Sequence, residues 1–465
     1  MITQLKCYMH KQFADQITPI GIYLNARNLF PGSILLESSV ADDKINSHSI
    51  ICVHPIGGIQ LTPEKLIQYY KQEKTEKPVS MINRIQDELR NFFNRFKIVN
   101  DYKGINGFFG FQSFEAVRYF ETPKAELCPK SDSDVALIDY RLFQYVICFN
   151  HFNSEIIFIE NAELNSTPTL PDFVAKVLTR QGSTYPFKIS SEESYNCTDE
   201  AFIQNVKKAQ MHCQRGDVFQ MVLSRRFKRA YQGDEFNVYR ALRHINPSPY
   251  MFFFDYGSYK IFGSSPEAQI RILGAEAIIN PIAGTYKRTG DKHKDELLGK
   301  ALLEDGKELA EHAMLVDLAR NDMNRHCTNV NVVEYKSIKQ YSHVIHMVST
   351  VKGQLPESSA NIDVLMDTFP AGTLTGAPKV RAIQLLSGLE NDPRGFYGGS
   401  IGFIDFNGDI NQAIIIRSFL SKNNEIHYQA GAGVVLKSDP ESELQEVNNK
   451  LGALRAALIE AEKFK

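Results

Sequence analysis

Three glycine-rich stretches lie in the second half of the chain: Pro281-Ile282-Ala283-Gly284-Thr285, Ala371-Gly372-Thr373-Leu374-Thr375-Gly376 and Gln429-Ala430-Gly431-Ala432-Gly433. Glycine lets a backbone come close to a ligand, so that its N–H groups can grip carboxylate oxygens. None carries the Gly-Lys-Ser/Thr of a P-loop or fits a dinucleotide fingerprint. Singly each reads as well as a tight turn; together they suggest an anion site. Two acidic stripes accompany them. Helical spacing over Asp305 to Asn321 puts Glu304, Glu308 and Glu311 on one face, and over Ser442 to Phe464 it groups Glu443, Glu446 and Lys450. The second stripe borders an apolar one (Leu444, Val447, Leu451, Leu454, Leu458), where a carboxylate is costly unless paired. Two such stripes facing each other could hold one Mg²⁺ with positions left open for a ligand carboxylate; ordinary surface ion pairs are the other reading.

Three single residues add to this. Arg417 interrupts an apolar run from Ala413 to Leu420, where a guanidinium must find a carboxylate of a ligand or of the protein. His346 is a proton shuttle or a hydrogen-bonded core histidine. Glu267, after the turn Gly263-Ser264-Ser265-Pro266, is a general acid or a solvated turn residue. No nucleophile elbow and no glutaminase cysteine motif is present.

The elements that must position these residues are partly legible. Thr198 can cap a helix with Phe202, Val206 and Ala209 on its apolar face, ended by Gly216. A strand is expected over Asp217 to Ser224, with Phe219, Met221 and Leu223 on one face and Gln220 between Val218 and Val222 on the other. Asn407-Gly408 suits the turn of an antiparallel hairpin between Ile401–Phe406 and Ile410–Leu420. Apolar runs such as 33–36 and 145–149 alternate with polar turns in the first part of the chain, where no catalytic pattern stands out. From Glu163 to Thr198 the composition turns to Ser, Thr, Pro and Asn, which reads as a surface connector with a short helix near Asp172 to Leu178.

At 465 residues, 43% hydrophobic and 23% charged, the chain can bury a large core in two or three domains. Its net charge of −2 leaves no long-range field for nucleic acid or an anionic membrane, so an anionic ligand must be caught locally. Seven scattered cysteines without a C-x-x-C pair suggest neither disulfides nor a thiolate zinc site. A polar amino terminus and the lack of long apolar runs lead to the expectation of a cytoplasmic protein. Tryptophan is absent beside 30 Phe and 20 Tyr.

Taken together, Gly216 to Gln220, Phe262 to Glu267, Pro281 to Thr285, Glu311 to Asp322, Pro370 to Arg381, Tyr397-Gly398-Gly399, Arg417 and Gln429 to Lys450 resemble the chorismate-utilising enzymes, and among them the large component of the anthranilate synthases. The resemblance spans most of the second half in family order. It implies an α/β fold, a two-lobed sandwich of large antiparallel sheets flanked by helices. It also implies an amino-terminal regulatory region over 1–165, a connector over 166–197 and a catalytic region over 198–465. Mg²⁺ would be held by Glu311 and Glu446 with Glu308 and Glu443 alongside. Gly284, Thr285, Tyr397, Arg417, Gly431, Ala432, Gly433 and Lys450 would bind the substrate carboxylates, and Thr373 would line the pocket. Glu267 would protonate the departing C4 hydroxyl while ammonia adds at C2, and His346 would assist loss of the C2 proton and of pyruvate. Ammonia would come from glutamine through a small amidotransferase subunit.

Two positions bear on the branch. Relatives that add water at C2 carry a lysine general base where this chain has Gln220; water must be deprotonated to attack, whereas ammonia brings its own lone pair. Many aminodeoxychorismate synthases carry a nucleophilic lysine where this chain has Ala283, whose methyl cannot attack C2. Amination at C2 is therefore expected, with aminodeoxychorismate synthesis as the alternative and a non-catalytic tryptophan-sensing subunit as a reading of another class. Leu35-Leu36-Glu37-Ser38-Ser39, with Asn246-Pro247-Ser248-Pro249-Tyr250-Met251, resembles the tryptophan-feedback motif; Glu37, Ser38, Pro249, Tyr250 and Met251 would bind the inhibitor. Tyr286-Lys287-Arg288-Thr289-Gly290 departs from the family pattern, with consequences expected for loop geometry.

Overall fold

Period-two alternation in two long strands organises the molecule. The structure, a computed structural model, describes residues 2–38, 47–120, 135–179, 182–340, 344–357 and 360–464, apart from the side chain of Thr285. Strands His48–Leu61 and Ile138–Asn150 pair antiparallel along their length, with a bulge between Pro55 and Gly57. Before the bulge Ile51 and Val53 face one core and Ile50 and Cys52 another. Beyond it Ile59 and Leu61 join a third, because the extra residue re-aims the strand. The same two strands thus belong to both layers of a sandwich.

From them one sheet runs through Ile34–Glu37, Tyr250–Asp255, Tyr259–Ser265, Ser418–Lys422, Glu425–Val434 and Gln220–Gly233. The other runs through Gly107–Gln112, Ser400–Asp405, Ile410–Ile414, Ala268–Leu273, Glu276–Ile279 and Val344–Gln354. Every one of these pairings is antiparallel, as the family resemblance implies. Between the sheets lies a core of strand residues such as Phe109, Phe252, Ile261 and Ile401. On the first sheet's outer face, helix Pro440–Ala461 buries Leu444, Val447, Leu451, Leu454 and Leu458, the stripe its periodicity predicts. Each such leucine contributes about 1.5–3 kcal/mol by leaving water. Helix Gly306–Met323 covers the second sheet through Val316, Ala319 and Met323. No helix among the described residues is long and apolar enough to cross a membrane, and none of the cysteines among them is paired.

The boundaries read from composition do not separate the sheets. Segments 1–165 and 198–465 share both sheets, since Ile34–Glu37 pairs with Tyr250–Asp255 and Gly107–Gln112 with Ser400–Asp405. Within the stretch read as a connector, the expected short helix is present as Leu170–Thr179 and buries Phe173 and Val177 in the same core as Leu451. Local polarity marks where a chain turns, but carries no information about which distant strand it pairs with.

Candidate functional site

Asp305 divides what the periodicity joins. It ends helix Lys292–Glu304 and caps helix Gly306–Met323, its carboxylate accepting from the Lys307 and Glu308 N–H groups. Glu304 therefore belongs to the preceding helix, and the acidic stripe begins at Glu308. Across from it stands helix Pro440–Ala461. Burial first, then Glu311, Asp305 and Glu446, hold the Glu308 carboxyl above its ordinary range, with Lys307 opposing. Burial likewise raises Glu443, with Glu446 adding and Ser438, Lys307 and Lys450 opposing. Each helix thus feels the other's charges. Lys450 pairs with Glu446 at 2.7 Å and donates to the Gly431 carbonyl at 2.9 Å.

Among the described residues no three His, Cys, Asp or Glu side chains close on one point tightly enough to hold a metal by themselves. What the two stripes offer is hard oxygen donors whose mutual repulsion a divalent cation would relieve. One of these oxygens, Glu443 Oε2, is buried with no hydrogen-bond partner. This donor set fits Mg²⁺, which takes one or two carboxylates and fills its remaining positions with water or ligand oxygens.

Gln220 opens strand Gln220–Gly233, and its amide donates to Glu311 Oε1 at 3.2 Å with Gly433 packed against it. The strand starts later than alternation suggests. Phe219 is 75% exposed rather than packed with Met221 and Leu223, because the chain is still leaving the turn at Gly216, whose φ is +77°. Gly284 sits at a bulge of strand Ile282–Lys287 with φ +66°. A Cβ there would lie 2.5 Å from Leu302 Cδ1 and 3.2 Å from Glu308 Oε2, so the backbone meets the acidic stripe only because this residue is glycine. Ala283 is buried beside it and pairs with Met347.

The polar centre lies beyond these elements. Glu267 follows strand Tyr259–Ser265, and Thr373, in the single turn Gly372–Thr375, donates to its Oε1 at 3.2 Å. Burial pushes the Glu267 carboxyl up to about 8, against the opposing pull of Thr373, Arg417 and Lys450. It is no solvated turn residue. Arg417 is not on a continuous hairpin strand: strands Ile410–Ile414 and Ser418–Lys422 are separate, and Arg417 lies between them with φ +49°. A non-glycine residue held in the left-handed region stores strain that surrounding structure must sustain, a pattern common at ligand clamps. Its guanidinium has no hydrogen-bonded partner among the described residues, and burial lowers its pKa while Glu267 opposes. His346 Nδ1 lies 3.0 Å from the Gly284 carbonyl. A carbonyl only accepts, so in the neutral ring Nδ1 carries the proton and Nε2 is the basic nitrogen. Burial, and secondarily Arg417, hold this histidine below its ordinary pKa, while the Gly284 bond opposes. Tyr397 is buried with the Gly431 N–H at its hydroxyl. Ala432 pairs with Leu223.

Glu267 is thus bonded to Thr373 and feels the charges of Arg417 and Lys450, Lys450 and Tyr397 meet at Gly431, and Gly284 links His346 to the acidic stripe. Sequence reasoning missed Arg394. Nearly fully buried, it donates to the carbonyls of Leu374 and Val222 and to Glu390, while Glu115 accepts from its backbone N–H. It fastens the Thr373 turn to the Gln220 strand. In the Tyr286–Gly290 stretch, Arg288 and Thr289 bind Asp295 and Gly290 takes φ +84°, so the departure from the family pattern is absorbed by a local ion pair and a turn.

A second cavity, about 540 Å³ with its mouth included, is lined by Glu37, Ser38, Pro249, Tyr250 and Met251. Strand pairing brings the two motifs together, Glu37 opposite Met251. The Glu37 carboxylate accepts from Tyr239 at 2.6 Å and Arg243 at 3.0 Å. Ser39 lies outside the described residues.

The fold and this arrangement are those of a chorismate-utilising enzyme: the chain belongs to the chorismate binding enzymes, whose family model matches residues 35–456. Its likeness to particular members is more specific. It is 36% identical to anthranilate synthase component 1 of Aquifex aeolicus, over 96% of this chain and 93% of the relative. It also superposes on the crystal structure of anthranilate synthase component I from Streptococcus pneumoniae with a TM-score of 0.76 at 31% identity, covering 88% of this chain and 92% of that one. The Escherichia coli menaquinone-specific isochorismate synthase MenF shares the fold alone, with a TM-score of 0.74 at 17% identity over 98% of this chain and 95% of that one.

Proposed function

We propose that the chain converts chorismate and ammonia into anthranilate, pyruvate and water, and that Mg²⁺ is held by Glu311 and Glu446 with Glu308 and Glu443 beside them. The bound ion would fix a substrate carboxylate and neutralise its charge. The rest is the work of the chain's own residues. Arg417, Tyr397, Lys450 and the Gly431 backbone hold the carboxylates by charge and hydrogen bonds. Glu267, protonated at neutral pH, gives its proton to the leaving C4 hydroxyl while ammonia adds at C2. Thr373 holds that carboxyl in place. His346, neutral with its proton on Nδ1, takes the C2 proton at Nε2; pyruvate then leaves and the ring becomes aromatic. Gln220 is spent on Glu311 and offers no base to a water, which favours amination over hydration.

The observation that carries this reading is the placement of the Glu267 carboxyl, which accepts from Thr373 at 3.2 Å beside the cation of Arg417, in a setting whose burial raises its pKa. With chorismate, ammonium and magnesium, the expected product is fluorescent anthranilate together with pyruvate. Product that appears only after adding a lyase acting on aminodeoxychorismate would transfer the protein to that branch; no turnover at all would leave a sensing subunit. Glutamine would serve only with a small amidotransferase partner.

Likeness to anthranilate synthase component 1, and the meeting of Glu37 and Ser38 with Pro249 to Met251 on one cavity, support tryptophan as the inhibitor. The chain has no tryptophan of its own, so the ligand's emission rises from a quiet background. Saturable binding at micromolar ligand is expected, with chorismate binding weakened in proportion. Emission that grows linearly, without saturation, would remove the regulatory reading.

A further inference from the structure

Helix Gly306–Met323 carries more than its carboxylates on one face. Glu308, Glu311, Leu315, Leu318 and Asp322 recur at three- and four-residue spacing, so a single stripe of about 21 Å joins the acidic cluster to the far end of the helix. At that far end Asp322 forms a 2.7 Å ion pair with Lys379, and both side chains are buried. Lys379 is the first residue of helix Lys379–Leu389 and Asp322 stands in the last turn of its own helix. Each charge therefore sits at the helix end where the backbone dipole disfavours it, so helix stability does not account for the placement. One turn before Asp322, Leu318 lies so close to Gly372 that a Cβ there would meet its Cδ2 at 2.1 Å. Gly372 precedes Thr373, whose hydroxyl holds Glu267. An open cleft, about 380 Å³ with its mouth included, is walled by Glu267, Thr373, Gly372, Leu318 and Asp322 together.

We infer that Asp322 and Lys379 are positioning residues, whose buried ion pair sets the register of the Gly306–Met323 helix against the Gly372–Thr375 turn. In this way it fixes the Thr373–Glu267 contact relative to the Glu308–Glu311 end of the same stripe. This rests on the reading of Glu267 as the acid. The pair touches no substrate; it acts through Leu318, Gly372 and Thr373. When it is broken, the turn loses its anchor at Lys379, Thr373 moves off Glu267, and the carboxyl is left with Arg417 and Lys450 as its remaining charged neighbours.

The test uses the full chain with Asp322→Asn, Lys379→Met and the exchanged pair Asp322→Lys/Lys379→Asp. The exchange restores an ion pair of similar length and puts each charge at the helix end its dipole favours. Each single variant is expected to lose about 10²-fold in kcat, the cost of a displacement near 1 Å, with chorismate KM changed less than threefold (about the scatter of such measurements). The alkaline limb of the pH profile should move to higher pH, because the Thr373 bond, which holds the Glu267 pKa down, is lost. In the metal-free chain, difference infrared titration of the protonated carboxyl, assigned with Glu267→Gln, should move in the same direction. The exchanged pair should recover kcat and the limb. Folded single variants with wild-type kcat and an unmoved titration would overturn the inference. So would losses that follow only the fraction of unfolded protein in thermal melts, or an exchanged pair that folds and stays inactive. Wild-type chain without product, or Glu267→Gln with full activity, would instead strike the proposed function itself.

Discussion

Glu267→Gln is expected to lower kcat with ammonium by about 10²–10⁴-fold, the range over which a positioned general acid contributes. Chorismate KM should change little. Glutamine keeps the side chain's length and can still accept from Thr373, whose hydroxyl donates to Glu267 Oε1 at 3.2 Å, but it has no proton to give to a leaving hydroxyl. The wild-type pH profile gives the sign. A carboxyl pushed up to about 8 is protonated, and so active as an acid, below that pH and ionised above it. The wild-type rate should therefore fall as pH rises through about 8, and that limb should vanish from the residual rate of the variant. The limb should also separate the two candidate titrating groups, because His346, held below its ordinary value, acts as a base and loses activity on the acid side instead. A variant that keeps its rate and its alkaline limb would remove Glu267 from the chemistry.

What the sequence showed and what it hid divide along a physical line. Periodicity reports which face of an element is buried, and so the helix stripe from Leu444 to Leu458 and the cap at Thr198 are present as read, and the Asn407-Gly408 hairpin is present with a second strand that ends at Ile414 rather than Leu420. The acidic stripe was legible except at its first member, because periodicity continues through Asp305 even though the helix does not; a helix-capping aspartate was the available signal. Strand pairing between distant segments was not legible. The sharing of both sheets by the two ends of the chain, and the placement of Glu37 opposite Met251, depend on contacts that no local pattern encodes. The pKa of Glu267 was equally hidden, since it arises from burial by the folded chain, only partly offset by Thr373, Arg417 and Lys450, which come from three other parts of the chain. Asp322 and Lys379 did leave a trace: each is a charge on the wrong end of a helix, a local conflict that a tertiary contact resolves.

Arg417→Met should raise the KM for chorismate by about 30-fold or more, since leaving a carboxylate without its buried cation costs about 2–5 kcal/mol. The backbone should tolerate the change: both residues carry a Cβ and must accept the same φ of +49°, and methionine is unbranched where valine would add strain. Stability should hold or rise, because the variant no longer buries a guanidinium that has no hydrogen-bonded partner among the described residues. Arg417→Lys should fall between, keeping the charge but losing the planar fork that grips two oxygens at once. Two titrations should move with the loss of charge. The cation now stabilises ionised Glu267, so its removal should raise the alkaline limb above about 8. The same cation opposes protonation of His346, so the acid limb should rise as well. A purely structural arginine would leave both limbs in place and act on melting temperature alone. Limbs that stay fixed while KM rises would place Arg417 on the substrate but too far from Glu267 and His346 for its charge to govern either proton.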